Sequence, residues 1–148
     1  MKVSDLMTTH ASTCRPDAPL HFAAQIMWDH DCGCVPVVDD SNRIVGMLTD
    51  RDVCMAALMQ GKSLSEMTVE SAMSRAVYGC SPEDDVEKAA GLMRLRQVRR
   101  VPVVDDVGHL MGVISLSDFA RALAANASNG VTTPTVARTL FDISQPAV

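Results

Sequence analysis

Two stretches of the chain pair a hydroxyl with a carboxylate at the same spacing. In Gly46-Met-Leu-Thr-Asp-Arg-Asp52 the pair is Thr49 and Asp52; in Gly112-Val-Ile-Ser-Leu-Ser-Asp118 it is Ser115 and Asp118. A carboxylate three positions after the hydroxyl is the spacing of a capping box, in which the hydroxyl closes a helix start and the acid complements the helix dipole. The same geometry suits a nucleotide. N–H groups and a hydroxyl at a helix N-terminus accept a phosphate, and an acceptor-only carboxylate matches a ribose diol, which presents two donors. The readings are compatible, because the cap can pre-build the site. Four arginines, Arg94, Arg96, Arg99 and Arg100, crowd into seven residues of an otherwise acidic chain. Arg94 and Arg96 read equally well as a solvated helix face. Arg99 and Arg100 enter a Val-rich strand, where guanidiniums suit a phosphate. A third cluster, His30-Asp-Cys32-Gly-Cys34, offers soft ligands for zinc or copper, or a redox-sensitive thiol. It lacks the C-x₂-C spacing of structural zinc sites, so incidental reduced thiols are the favoured reading. No nucleophile–base–orienter set stands out, and no catalytic residue is assigned.

The elements that must position these residues come from a duplication. An offset of 66 residues, the separation of Pro16 and Pro82, lays residues 3–53 over 69–119 without a gap. Identities include Val3/Val69, Met7/Met73, Cys14/Cys80, Met27/Met93, Gly46/Gly112 and Asp52/Asp118, and Val35-Pro-Val-Val-Asp-Asp40 matches Val101-Pro-Val-Val-Asp-Asp106. Two copies are too few for a solenoid; the economical arrangement packs them face to face about a pseudo-two-fold axis. Leu20, Ala23, Ala24 and Met27 mark one helical face, repeated by Val86, Ala89, Ala90 and Met93. Val35–Val38 with Ile44–Leu48, and Val101–Val104 with Leu110–Ile114, read as hairpins across turn-forming residues. Helices follow at about 50–59 and 116–125. With a short first strand near Cys14 and Cys80, each unit is β-α-β-β-α, an α/β chain of α+β type. The division is 1–60, a linker at 61–68, 69–125, and a tail at 126–148. Asn126–Thr133 is expected to be mobile, with Thr133 before Pro134 capping a short helix that carries Val136, Leu140 and Ile143 on one face.

Composition narrows the class. The length, 148 residues, suits one ordinary domain. At 47% hydrophobic and 21% charged, the chain is not disordered. A formal charge of -5 and 3% aromatics argue against a nucleic-acid surface. No run of 18 apolar residues marks a membrane span, and the start lacks the apolar segment of a secretory signal. Five cysteines in such a chain read as reduced thiols in a cytoplasm.

The duplicated Val-Pro-Val-Val-Asp blocks, each followed by Gly-x-x-[Thr/Ser]-x-x-Asp, resemble a tandem pair of cystathionine-β-synthase-type (CBS) domains, or Bateman module. The resemblance spans residues 1–125. It implies a stand-alone regulatory, signal-transducing homodimer that senses an adenosine-containing ligand (AMP, ADP, ATP, NAD or an S-adenosyl compound) in clefts between the two units, with no cofactor required and an effector protein unnamed. Carried over position by position, Asp52 and Asp118 hold ribose hydroxyls, and Thr49 and Ser115 assist. Gly33 and Cys34, or Arg99 and Arg100, line the nucleotide. Ala18, Pro19 and Leu20, or Asp84, Asp85 and Val86, close a cleft, and Val35, Pro36, Val101 and Pro102 hold the adenine. The copies differ. Arg51 occupies the position of Ser117, so the Asp52 cleft is expected to use Arg51 and the Asp118 cleft Arg99 or Arg100. Asp84 replaces Ala18 and adds negative charge near the Asp52 cleft, so Asp118 is expected to bind a monophosphate more tightly. The rival readings are a thiol or metal sensor at His30/Cys32/Cys34, a ligand-free dimerisation module, and an enzyme acting on nucleotides.

Overall fold

The computed structural model describes residues 1–125 and 130–146. Its elements run α1 (Val3–Leu6), α2 (Leu20–Asp29), β1 (Cys34–Val38), β2 (Ile44–Thr49), α3 (Asp50–Gln60), α4 (Val86–Arg96), β3 (Arg100–Val104), β4 (Leu110–Ser115), α5 (Leu116–Ala124) and α6 (Thr133–Ile143), with single 3₁₀ turns at Leu64–Glu66 and Val69–Ser71. The class is α+β: helices with two separate two-stranded sheets, β1-β2 and β3-β4. β1 and β2 are antiparallel, with Val35 opposite Leu48 and Val37 opposite Gly46, and an irregularity between Val37 and Val38. No helix among the described residues is long and apolar enough to cross a membrane.

The short first strand expected near Cys14 and Cys80 is in each case a single parallel bridge, Cys14 to Val37 and Cys80 to Val103. The Cys14 N–H donates to Pro36 O at 3.1 Å, and Val38 N–H donates to Cys14 O at 3.0 Å. The next donor in the ladder would come from Pro16, or from Pro82 in the other copy, and neither has an N–H. The residues that anchor the repeat thus also stop the strand.

Two compact units emerge, and they are cut differently from the sequence repeats. The first comprises residues 10–77 with the turn 107–110; the second comprises 1–9, 78–106 and the described residues from 111 onward. The lead-in of each copy therefore packs with the body of the other. Val3 is fully enclosed in a core with Cys80, Val86, Ala89, Met93, Val101, Val103, Ile114 and Phe119. Val69 is fully enclosed with Cys14, Leu20, Ala23, Met27, Val35, Val37 and Leu48. The backbone bonds that hold the lead-ins match pair for pair. Val3 N–H donates to Asp84 O at 2.8 Å and Val69 N–H to Ala18 O at 2.9 Å; Thr8 bridges Val113, and Ser74 bridges Met47. The 61–68 stretch is likewise engaged, since Met67 is 2% exposed and its carbonyl accepts the Leu20 N–H at 2.8 Å.

α6 begins one residue earlier than the sequence suggests. Thr132, not Thr133, is the cap, its Oγ1 accepting the Thr135 N–H at 3.2 Å, and Pro134 sits in the first turn where no N–H is needed. The helix packs on α4 and α5. Val136 and Ile143 face the core, but Leu140 is exposed and Thr139 is the buried residue of the face. Thr139 is accommodated because its hydroxyl donates to Thr135 O at 2.7 Å and meets Arg94 Nη1 at 3.2 Å. Of the stretch 126–133, residues 126–129 lie outside those described; Val131 is 2% exposed and joins the core of the second unit.

Candidate functional site

Both hydroxyl–carboxylate pairs form complete capping boxes. At the start of α3, Thr49 Oγ1 accepts the Asp52 N–H at 3.1 Å while Asp52 Oδ2 accepts the Thr49 N–H at 2.9 Å. At the start of α5, Ser115 Oγ accepts the Asp118 N–H at 3.3 Å. Asp118 Oδ2 accepts both the Ser115 N–H, at 2.7 Å, and the Ser115 hydroxyl, at 2.8 Å. Each strand ends in extended backbone at the cap residue, which turns the carboxylate back over the first helical turn.

The residues before β1 and β3 are tied to these helix starts. Gly33 O accepts the Asp50 N–H at 3.0 Å, and Arg99 O accepts the Leu116 N–H at 2.9 Å. Cys34 stands opposite Thr49 in the β1–β2 register. So the first unit brings Gly33, Cys34, Thr49, Arg51 and Asp52 together, and the second brings Arg99, Arg100, Ser115, Ser117 and Asp118 together. One expectation is overturned here. The α3 N-terminus does not offer free N–H groups to a phosphate. Asp50 N–H goes to Gly33, Asp52 N–H to Thr49, and Arg51 N–H to Asp50 Oδ1 at 2.8 Å. The capping box takes the Asp52 N–H, and Gly33 and the Asp50 carboxylate take the other two, which at α3 leaves the charge for an anion to side chains.

The remaining expected residues take varied places. Arg51, Arg99 and Ser117 are exposed, and Arg100 is half-buried at the start of β3. Val35 and Val101 are fully enclosed, and Pro36 and Pro102 are buried beside them. Ala18 and Pro19 engage the 68–69 segment through their backbones, and Leu20 is fully enclosed. In the second unit Val86 is buried. Asp84 accepts the Ser81 N–H at 2.8 Å and pairs with Lys88 at 2.9 Å, which holds its carboxyl below the usual range and balances its charge. Asp85 caps α4 through the Glu87 N–H at 2.9 Å.

Two contacts and one depression are added by the structure. Arg121, one turn along α5, pairs with Asp118 Oδ1, a contact that i, i+3 spacing on the helix would have signalled. Arg96 lies 3.6 Å over the Tyr78 ring, a pairing of residues too far apart in sequence to anticipate. Trp28, 84% exposed, lines a largely apolar depression of about 260 Å³ with Ala24, Met27, Cys32, Asp50 and Val53. Among the described residues no three His, Cys, Asp or Glu side chains are grouped to hold a metal ion. His30 is exposed, and Cys32 and Cys34 are half-buried. Burial pushes the Cys14 and Cys80 thiols up to about 11.

Comparison with known proteins gives a consistent picture. The CBS domain family model matches residues 3–58 and again residues 69–125. In sequence, the chain is 36% identical over 128 residues to the CBS domain-containing protein YhcV of Bacillus subtilis, covering 86% of this chain and 89% of that protein. In structure, it resembles the CBS domain pair of protein MJ0100 in complex with 5′-methylthioadenosine and S-adenosyl-L-methionine, with a TM-score of 0.75, 28% identity, and coverage of 85% of this chain and 98% of that one. It also resembles Hypoxic Response Protein I with two coordinated zinc ions, with a TM-score of 0.74, 31% identity, and coverage of 82% and 98%.

Proposed function

Because the chain belongs to the CBS domain family and carries that domain twice, we propose that it is a regulatory module that binds an adenosine-containing ligand, and not an enzyme. The observation that carries this reading is the recurrence, in both units, of an acceptor carboxylate folded over a helix start beside a hydroxyl: Asp52 with Thr49 and Asp118 with Ser115. A ribose diol supplies the donors such a carboxylate lacks. Arg51 in the first unit, and Arg99 and Arg100 in the second, supply positive charge for a phosphate. The adenosyl ligands of the MJ0100 domain pair support this ligand class.

A binding module signals by preferring one conformation or assembly when loaded. A homodimer is part of the proposal. It is supported by the exposure of Trp28, Leu58 and Met59 on α2 and α3, at 84%, 73% and 80%, large apolar side chains of the kind that the core of an interface buries. Cytoplasmic residence is supported by five cysteines that form no disulfide among the described residues.

The test is isothermal titration calorimetry of nucleotide-stripped protein with AMP, ATP, NAD and S-adenosylmethionine, alongside the Asp52→Ala and Asp118→Ala variants. Binding that is lost in the variants establishes the sensor, with the larger loss of AMP affinity expected from Asp118→Ala. Silence across the panel refutes it. The zinc-bearing neighbour keeps a second reading open, a metal or thiol sensor, although His30, Cys32 and Cys34 are not grouped to hold an ion in this structure. Metal analysis of protein purified under reducing conditions separates the two.

A further inference from the structure

The two carboxylates of the proposed sites are not in the same state. Asp52 is half-buried, and among the described residues its carboxylate takes one hydrogen bond, from the Thr49 N–H to Oδ2 at 2.9 Å. Asp118 is 7% exposed and both its oxygens are committed. Oδ2 takes the Ser115 N–H and hydroxyl at 2.7 and 2.8 Å, and Oδ1 takes the Arg121 guanidinium. The residue equivalent to Arg121 in the first copy, 66 positions earlier, is Met55, which cannot pair with a carboxylate. The arginine is therefore particular to the second site and is not a requirement of the fold.

A ribose diol approaching Asp118 meets an oxygen already bonded to a cation. An uncharged adenosyl compound must break that pair and gives the guanidinium nothing in return. A nucleoside 5′-phosphate differs. Its phosphate is carried on the same sugar whose diol the carboxylate would hold, so it lies within the sweep of a side chain that now touches that carboxylate. Arg121 is free to make the move, because its side chain is 69% exposed and rooted one turn along α5. Breaking the pair leaves a buried carboxylate without its cation, which is costly, and a bidentate guanidinium–phosphate contact, among the stronger hydrogen-bonded pairs, offsets that cost only for a ligand that carries a phosphate.

We propose that Arg121 is a specificity-determining residue of the Asp118 site. It holds the carboxylate against adenosyl ligands that lack a phosphate and transfers to the phosphate of a nucleotide, so that this site selects nucleotides, while the Asp52 site, with Met55 in the equivalent place, does not discriminate in this way. The inference rests on the adenosyl-sensor reading and assigns a ligand preference within it.

The experiment uses the full chain with the first site silenced by Asp52→Ala. AMP and 5′-methylthioadenosine, which share the adenosine and differ in the phosphate, are titrated calorimetrically. The expected result is that AMP binds about tenfold or more tightly than 5′-methylthioadenosine, and that adding Arg121→Met brings the two affinities together, partly by raising that for 5′-methylthioadenosine. The substitution copies the residue the first unit already tolerates, and a thermal melt confirms folding. The reciprocal variant, Met55→Arg in an Asp118→Ala background, is expected to confer the same preference on the Asp52 site. An AMP to 5′-methylthioadenosine ratio unmoved by Arg121→Met, with AMP still bound and its binding still abolished by Asp118→Ala, overturns the role of Arg121 and leaves the sensor reading intact. Failure of the Asp52→Ala protein to bind either compound overturns the role of Arg121, and the sensor reading falls with it only if the wild-type chain also binds neither.

Discussion

Replacing Gly112 by alanine should loosen the N-terminal lead-in from the second unit. A Cβ on Gly112 would stand 2.6 Å from the carbonyl oxygen of Thr8 and 3.2 Å from Met7 Sδ. The nearest obstacle is backbone, so no rotamer change relieves it. That backbone is also pinned, because Thr8 N–H donates to Val113 O at 2.9 Å and Val113 N–H to Thr8 O at 3.0 Å. Overpacking of this kind costs about 1–3 kcal/mol. If the segment yields, two backbone hydrogen bonds worth about 0.5–1.5 kcal/mol each are weakened as well. The expected loss is thus about 2–4 kcal/mol, a large part of a typical domain stability of about 5–15 kcal/mol. Urea unfolding measures it as a lowered midpoint, and hydrogen exchange locates it as faster exchange of the Val3 and Thr8 amides. Gly46→Ala is the internal control. Its Cβ would first meet Met73 Sδ at 2.6 Å, the movable end of a side chain, then Ser74 O at 2.9 Å, so its cost should fall nearer the low end. A Gly112→Ala protein within about 0.5 kcal/mol of wild type, with its Thr8 amide fully protected, would refute the argument that this glycine seats the lead-in.

Asp118→Ala should cost more stability than Asp52→Ala, because it strands the buried Ser115 N–H and hydroxyl and removes the Arg121 pair; about 1–2 kcal/mol is expected for Asp118, and equal thermal shifts for the two variants would count against it. In alkylation at pH 8 followed by mass spectrometry, Cys54, which is exposed, should react well before Cys14 and Cys80, whose burial lifts their thiols to about 11 and leaves little thiolate; rapid labelling of either buried cysteine contradicts the packing described. Lys88 and the Ser81 N–H hold the Asp84 carboxyl below its ordinary range, so its contribution to stability is present above the unfolded carboxylate range and is lost as pH falls through the depressed value. Asp84→Asn should therefore flatten the acid limb of a stability–pH curve below about pH 5, and an unchanged limb would show that Asp84 is not responsible.

The duplication, the helix faces, the hairpins and the two capping boxes were all legible in the chain. Each is set by interactions over a few residues or by a pattern that repeats: Leu20, Ala23 and Met27 along one helix stripe, or Thr49 and Asp52 three apart. The family resemblance drew on the same local blocks. Tertiary structure alone decided the rest. That residues 3–9 complete the unit built by the second copy depends on Val3 filling a core lined by Cys80, Val86 and Phe119, and on Gly112 leaving room for Thr8. The burial of Thr139 and not Leu140 on α6, and the use of the Asp50 N–H by Gly33, likewise depend on what lies opposite. Hydrophobic period and turn chemistry specify which face of an element is buried. They do not specify its partner, because close packing is a fit between surfaces brought together from distant parts of the chain.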